Sequence, residues 1–114
     1  MNNTIPVITI RDLKYSDVSI PVGTNIDLSF HETRHNRAVF THNGKKYALL
    51  VRNLYRTVKS TDSPHTSFYK EPSINKLEKM SDDGICTTVT GDKVEPDGFG
   101  ENGSPSWLLV MGLI

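Results

Sequence analysis

The sequence predicts an α+β domain that is mostly β, a small antiparallel sheet built on a 37–51 hairpin with one short helix near 73–82. Three observations lead there. Asn43-Gly44 sits between two segments of alternating apolar residues. The first sixty residues are rich in short β-branched runs, while helical spacing closed by a glycine is clearest in the segment that follows Pro72-Ser73. At 114 residues the chain has room for one modest core, so residues 1–114 read as a single domain. An apolar fraction of 36% lies below the globular norm and predicts that much of the chain is loop.

Ile5-Pro-Val-Ile-Thr-Ile10 reads as a strand, and Pro6 near its start marks an edge strand or the start of a strand. Val18–Val22 is a second short strand, closed by the turn residues Gly23-Thr24-Asn25. Ile26, Leu28 and Phe30 alternate with polar residues, the period of a half-buried strand. Asn43-Gly44 suits a type I′ turn because both central residues need positive φ. Folding the chain there sets Phe40 opposite Tyr47 and Ala38 opposite Leu49 on a core-facing side, with Val51 continuing the row. Arg37, Thr41, Lys46, His42 and Lys45 are then left toward solvent or a partner.

Residues 50–59 fit two patterns. Leu50, Val51, Leu54, Tyr55 and Val58 have helical spacing, which would make Arg52, Arg56 and Lys59 a basic stripe. Thr57 and Val58 are β-branched and tip the reading toward a third strand. Residues 60–66 form a polar linker. Beyond it, Ser73 is an N-cap residue, Ile74, Leu77 and Met80 make an apolar stripe, and Gly84 is a natural helix stop. Val89–Ser106 carries enough Gly and Pro to predict turns. Trp107–Ile114 is too apolar for a free tail, so it either docks in the core or forms an interface, homo-oligomeric in the simplest case.

Charge divides the chain. Residues 1–60 carry nine Lys/Arg against four acids, and residues 61–114 carry four Lys against nine Asp/Glu. A basic β-rich half thus precedes an acidic loop-rich half (67–114). That asymmetry predicts an acidic partner, or two halves that attract each other. Arg37, Lys45, Lys46, Tyr47, Arg52 and Arg56 are the predicted binding residues, meeting carboxylates or phosphates, with Arg pairing in bidentate fashion. Nucleic acid is the second partner class, because Tyr47 and Tyr55 could stack on bases beside these cations. The near-neutral isoelectric point, about 6.9, favours protein over DNA.

His31-Glu-Thr-Arg-His35 matches H-E-x-x-H, the zinc-peptidase signature. On a helix its two His share one face and bind the metal while Glu activates water. Glu78-Lys-Met-Ser-Asp82 has the E-x-x-S-D form of the thermolysin-like gluzincins. That resemblance implies zinc on His31, His35 and Glu78, with Glu32 as general base and Asp82 orienting one His. The signature requires a helix, whereas strand patterns flank it on both sides, so the leading expectation is a non-enzymatic protein with no cofactor. Cys86 reads as a core residue, and a single cysteine fits a reducing compartment. Met1–Thr4 carry no secretory pattern and no segment approaches the ~20 apolar residues of a bilayer span, so a cytoplasmic protein with no membrane partner is expected.

Pro72–Gly84 followed by a Gly91 turn resembles the helix-then-wing segment of phage excisionases. The block from Asp83-Gly-Ile-Cys through Val94-Glu-Pro-Asp-Gly98 to Trp107–Ile114 resembles the ending of small accessory proteins of temperate enterobacterial phages and prophages. That resemblance implies a phage product that acts in the host cytoplasm by binding and inhibiting a host protein or a nucleoprotein defence complex.

Overall fold

The structure, a computed structural model, describes residues 4–61 and 67–114. It is α+β and mostly β, as expected. The strands are β1 (Ile5–Thr9), β2 (Leu13–Lys14), β3 (Ser19–Ile20), β4 (Asn25–Phe30), β5 (Arg37–His42), β6 (Lys45–Leu50), β7 (Val58–Ser60), β8 (Cys86–Thr87) and β9 (Lys93–Val94). A short α1 (Leu54–Thr57) precedes β7, while α2 (Ile74–Asp83) and α3 (Trp107–Val110) belong to the second half. The five-stranded sheet runs β6-β5-β4-β1-β7, every neighbour antiparallel.

The hairpin forms in the expected register, with Phe40 opposite Tyr47 and Ala38 opposite Leu49. Asn43 and Gly44 both take positive φ, 51° and 80°, the backbone that the mirror-image turn demands. Ala38 and Phe40 join Ile5, Val7, Ile26 and Leu28 in the core, all from alternate positions of their strands. β1 lies inside the sheet, so of the two readings for Pro6 the start of a strand is the one realised. Pro6 needs no N–H there: its carbonyl accepts from the Thr61 amide (3.0 Å) where the β7 ladder has run out.

Residues 50–59 correct the strand expectation in part. Val51–Asn53 form a 3₁₀ turn that runs into α1, and only Val58–Ser60 are strand. Val51, Leu54 and Thr57 are buried at a spacing of three, so a helical turn buries all three where a strand would expose one. The Thr57 hydroxyl turns back onto the Asn53 carbonyl (2.9 Å) and is satisfied inside the turn. Of the predicted 60–66 linker, residues 62–66 lie outside the described residues.

Helix α2 starts and stops as its sequence indicates. Ser73 Oγ accepts from the Lys76 amide (3.3 Å), and Gly84 ends the helix in the left-handed region (φ 69°). Leu77 is buried and Met80 half-buried, but Ile74 in the first turn is exposed, so the apolar stripe is shorter than its pattern. The C-terminal segment divides as well. Trp107, Leu108 and Val110 are buried, the tryptophan at 1% exposure, while Leu113 and Ile114 face solvent. Among the described residues no helix is long and apolar enough to cross a membrane.

Candidate functional site

Strand alternation sends the predicted binding residues in two directions. Lys45 and Tyr47 project on the same side as Ala38 and Phe40, at the tip of the core-facing side of the hairpin. Arg37 and Lys46 project on the opposite side, together with Val39, Thr41, Ala48 and Leu50. Arg52 and Arg56 follow on the helical turn and are exposed. The six residues therefore do not form one patch.

Lys45 and Tyr47 are engaged within the fold. Lys45 Nζ and the Tyr47 hydroxyl both donate to one oxygen of Asp17, at 3.2 and 3.1 Å. Asp17 sits in the turn between β2 and β3. The hydrogen bond from Lys45, aided by that from Tyr47, holds its carboxyl below the usual range. Desolvation, and then the neighbouring Asp17 carboxylate, pushes the Tyr47 phenol up. Tyr15, from the same turn, rests against Tyr47 with ring centres 4.8 Å apart. Neither Tyr15 nor Asp17 carries a pattern that sequence inspection could have picked out; both act through long-range pairing.

Among the described residues the remaining cations of the set have no such ties. Arg37, Lys46, Arg52 and Arg56 are exposed, and among the described residues the one ion pair is Lys45–Asp17, inside the basic half. No ion pair joins the basic half to the acidic half among those residues. In the acidic half Asp92 accepts instead from the Thr90 hydroxyl (3.1 Å), which also touches Ser104 Oγ (3.0 Å).

The outer side of the sheet is not flat. β4 pairs with β5 only at Ser29↔Val39 and Phe30↔Ala38, with one further bond from the His31 amide to the Arg37 carbonyl. Beyond Ser29 the β4–β5 ladder ends, while the β1–β4 and β5–β6 ladders run on. A cleft of about 530 Å³ lies on this side of the sheet, lined from β1, β4, β5 and β6 by residues that include Pro6, Asp27, Ser29, Val39, Thr41 and Lys46. A second hollow of about 580 Å³ adjoins it, sharing Ser29, Val39 and Lys46 and reaching His31, Glu32 and Phe99.

The H-E-x-x-H residues lie in the loop between β4 and β5, not on a helix. His31 Nδ1 accepts from the amides of Thr33 (3.2 Å) and Arg34 (3.0 Å), closing the loop as an Asx side chain would. His35 packs its ring edge-on to Phe99, centres 5.6 Å apart. Glu32 lines the second hollow, while Glu78 and Asp82 are exposed on α2. Among the described residues no three His, Cys, Asp or Glu side chains are grouped to hold a metal. A short β ribbon, β8–β9, does follow α2, yet that helix exposes Glu78, Asp82 and Asp83. No family model, curated protein or solved structure matches this chain.

Proposed function

We propose that this chain is a non-enzymatic interaction protein that binds and modulates a partner carrying an acidic surface, a protein or nucleoprotein complex, through the outer side of the β5–β6 hairpin and the helical turn after it. The observation that carries this reading is the set of exposed cations, Arg37, Lys46, Arg52 and Arg56, none within ion-pair distance of a carboxylate among the described residues. The chain holds thirteen acids for its thirteen Lys and Arg, yet among the described residues none pairs with these four. Free cations of one sign attract an acidic partner over about a Debye length, and Arg then fixes it by paired hydrogen bonds. Lys45, tied to Asp17, belongs to the scaffold of the surface. The resemblance of the last third to phage accessory proteins supports a phage product that acts on a host complex in the host cytoplasm.

Binding to poly-L-glutamate across a salt series tests the reading, with a short DNA duplex as comparator. Affinity that falls with salt and drops at least tenfold in the Arg52→Glu/Arg56→Glu double variant is the expected result. A chain that binds the duplex with a steep salt slope and ignores poly-L-glutamate is a nucleic-acid protein instead. A chain that binds neither at low salt is not an acid-surface binder.

A further inference from the structure

We infer that the turn between β2 and β3 guards the free edge of β6 against a second copy of this chain, and that two chains freed of it pair edge to edge about Ala48. β6 ends the five-stranded sheet, so one of its sides has no strand beside it. The two-residue turn at Asn43-Gly44 makes His42↔Lys45 the closing hydrogen-bonded pair. Alternation then turns the main chain of Lys46, Ala48 and Leu50 away from β5. Such an edge is a template for another chain. Its middle position is taken. The Tyr15 hydroxyl donates to the Ala48 carbonyl at 2.9 Å, and among the described residues no other hydrogen bond reaches the outward main-chain groups of Lys46 or Ala48. The turn is fastened in two further ways. The Tyr15 ring rests on Tyr47, and Asp17 receives Lys45 Nζ (3.2 Å) and the Tyr47 hydroxyl (3.1 Å).

The sequence of β6 fits its own copy. Antiparallel pairing centred on Ala48 sets Lys46 of each chain opposite Leu50 of the other, Tyr47 opposite Leu49 and Lys45 opposite Val51. No cation then lies directly opposite a cation, an arrangement that would be destabilising. This register brings all three outward residues, Lys46, Ala48 and Leu50, to face one another; moving the centre to Tyr47 or Leu49 leaves one of them out. The contact uses the same patch on both chains, so it closes as a dimer rather than growing into a fibre. The carbonyl at its centre is the one that Tyr15 holds, so the guard occupies the position that both chains need.

The test is analytical sedimentation of the whole chain across a concentration series. Wild type should stay monomeric throughout. Tyr15→Phe/Asp17→Ala, which keeps the ring and removes the fastening hydrogen bonds, should shift toward dimer as concentration rises. Amide exchange at Lys46 and Ala48 should slow at least tenfold in that dimer. Adding Ala48→Pro should return the variant to monomer, because proline has no N–H to give at the centre, and the Ala48 N–H makes no ladder bond to β5. If the double variant does not fold, Tyr15→Phe alone carries the same test with a smaller shift. Folded variants that stay monomeric at every concentration overturn the inference. A dimer that survives Ala48→Pro overturns it as well, since the contact then lies elsewhere, and so does a wild type that already pairs through β6.

Discussion

The hydroxyl of Tyr15 donates to the main-chain carbonyl of Ala48, 2.9 Å away, so the β2–β3 turn ties off the free edge of strand β6. By ladder alternation the carbonyl of Ala48 points away from β5, and an edge strand with open carbonyls invites further pairing. Tyr15 therefore does two things: it packs on Tyr47 and Phe40, and it takes one acceptor out of that edge. Tyr15→Phe keeps the packing and loses the bond. It should cost about 0.5–1.5 kcal/mol, the net worth of such a hydrogen bond. Urea unfolding reads the stability, and a loss near zero would mean that water replaces the phenol without penalty.

Asp17 gives the same contact a pH dependence. Its folded pKa is lowered, so its stabilising effect is complete above about pH 4, the unfolded value, and is lost as pH falls through the folded one. Tyr47 is shifted the other way. Its contribution is complete below about pH 10 and is lost as pH rises through its higher folded value. Thermal unfolding from pH 2 to 11 should show a plateau bounded by these two limbs. Asp17→Asn should flatten the acid limb and Tyr47→Phe the alkaline one; an acid limb identical in Asp17→Asn would place the sensitive carboxylate elsewhere.

The docked C-terminus should carry a large share of the stability of the second half. Trp107 is 1% exposed, on a turn whose N-cap, Ser106 Oγ, accepts from the Leu109 amide (3.2 Å). Trp107→Ala should cost about 3–5 kcal/mol, as large-to-small changes at buried aromatics do. If that variant fails to fold, Trp107→Phe should still show a clear drop in urea midpoint. Deletion of exposed Leu113 and Ile114 should leave the midpoint nearly unchanged.

What the sequence made legible was local. Asn43-Gly44 and the flanking alternation set the hairpin to its register, and Ser73 with Gly84 bounded α2, because turn and cap chemistry reside in the residues themselves. What it concealed was which strands meet. β1 lies between β4 and β7 although Pro6 near its start allowed an edge strand, since only the end of the β7 ladder shows that no N–H is needed there. The basic residues were legible as a set but not as a surface. Period-two alternation separates Lys45 from Lys46, and only the pairing of Asp17 with Lys45 and Tyr47, from about thirty residues away, shows which of the two is committed to the fold. The cleft on the outer side of the sheet has no sequence signal, because its lining comes from strands far apart in the chain.

Gly100 should tolerate no side chain, for packing reasons alone. A Cβ there would press on the Asp92 carboxylate and on Ser104 Oγ, which are joined through the Thr90 hydroxyl. Ser104 is fully buried, so the network cannot move aside without leaving hydroxyls unpaired. Gly100→Ala should cost about 1–3 kcal/mol, the usual penalty of overpacking. Pairing it with Asp92→Ala should recover part of that loss; a strictly additive double variant would show that the carboxylate is not the obstruction.

The loop from His31 to His35 supplies the last prediction. Zinc in an H-E-x-x-H site needs both imidazoles on one helical face, one turn apart. Here His31 Nδ1 is occupied by the Thr33 and Arg34 amides, and the His35 ring lies against Phe99. Elemental mass spectrometry of the untagged protein should find zinc well below one per chain. His31→Ala should loosen the 31–35 loop, seen as faster amide exchange at Thr33 and Arg34, without changing metal content. One zinc per chain that disappears in both His31→Ala and His35→Ala would mean that this loop refolds around a metal, and hydrolysis with Glu32 as base would become the activity to assay.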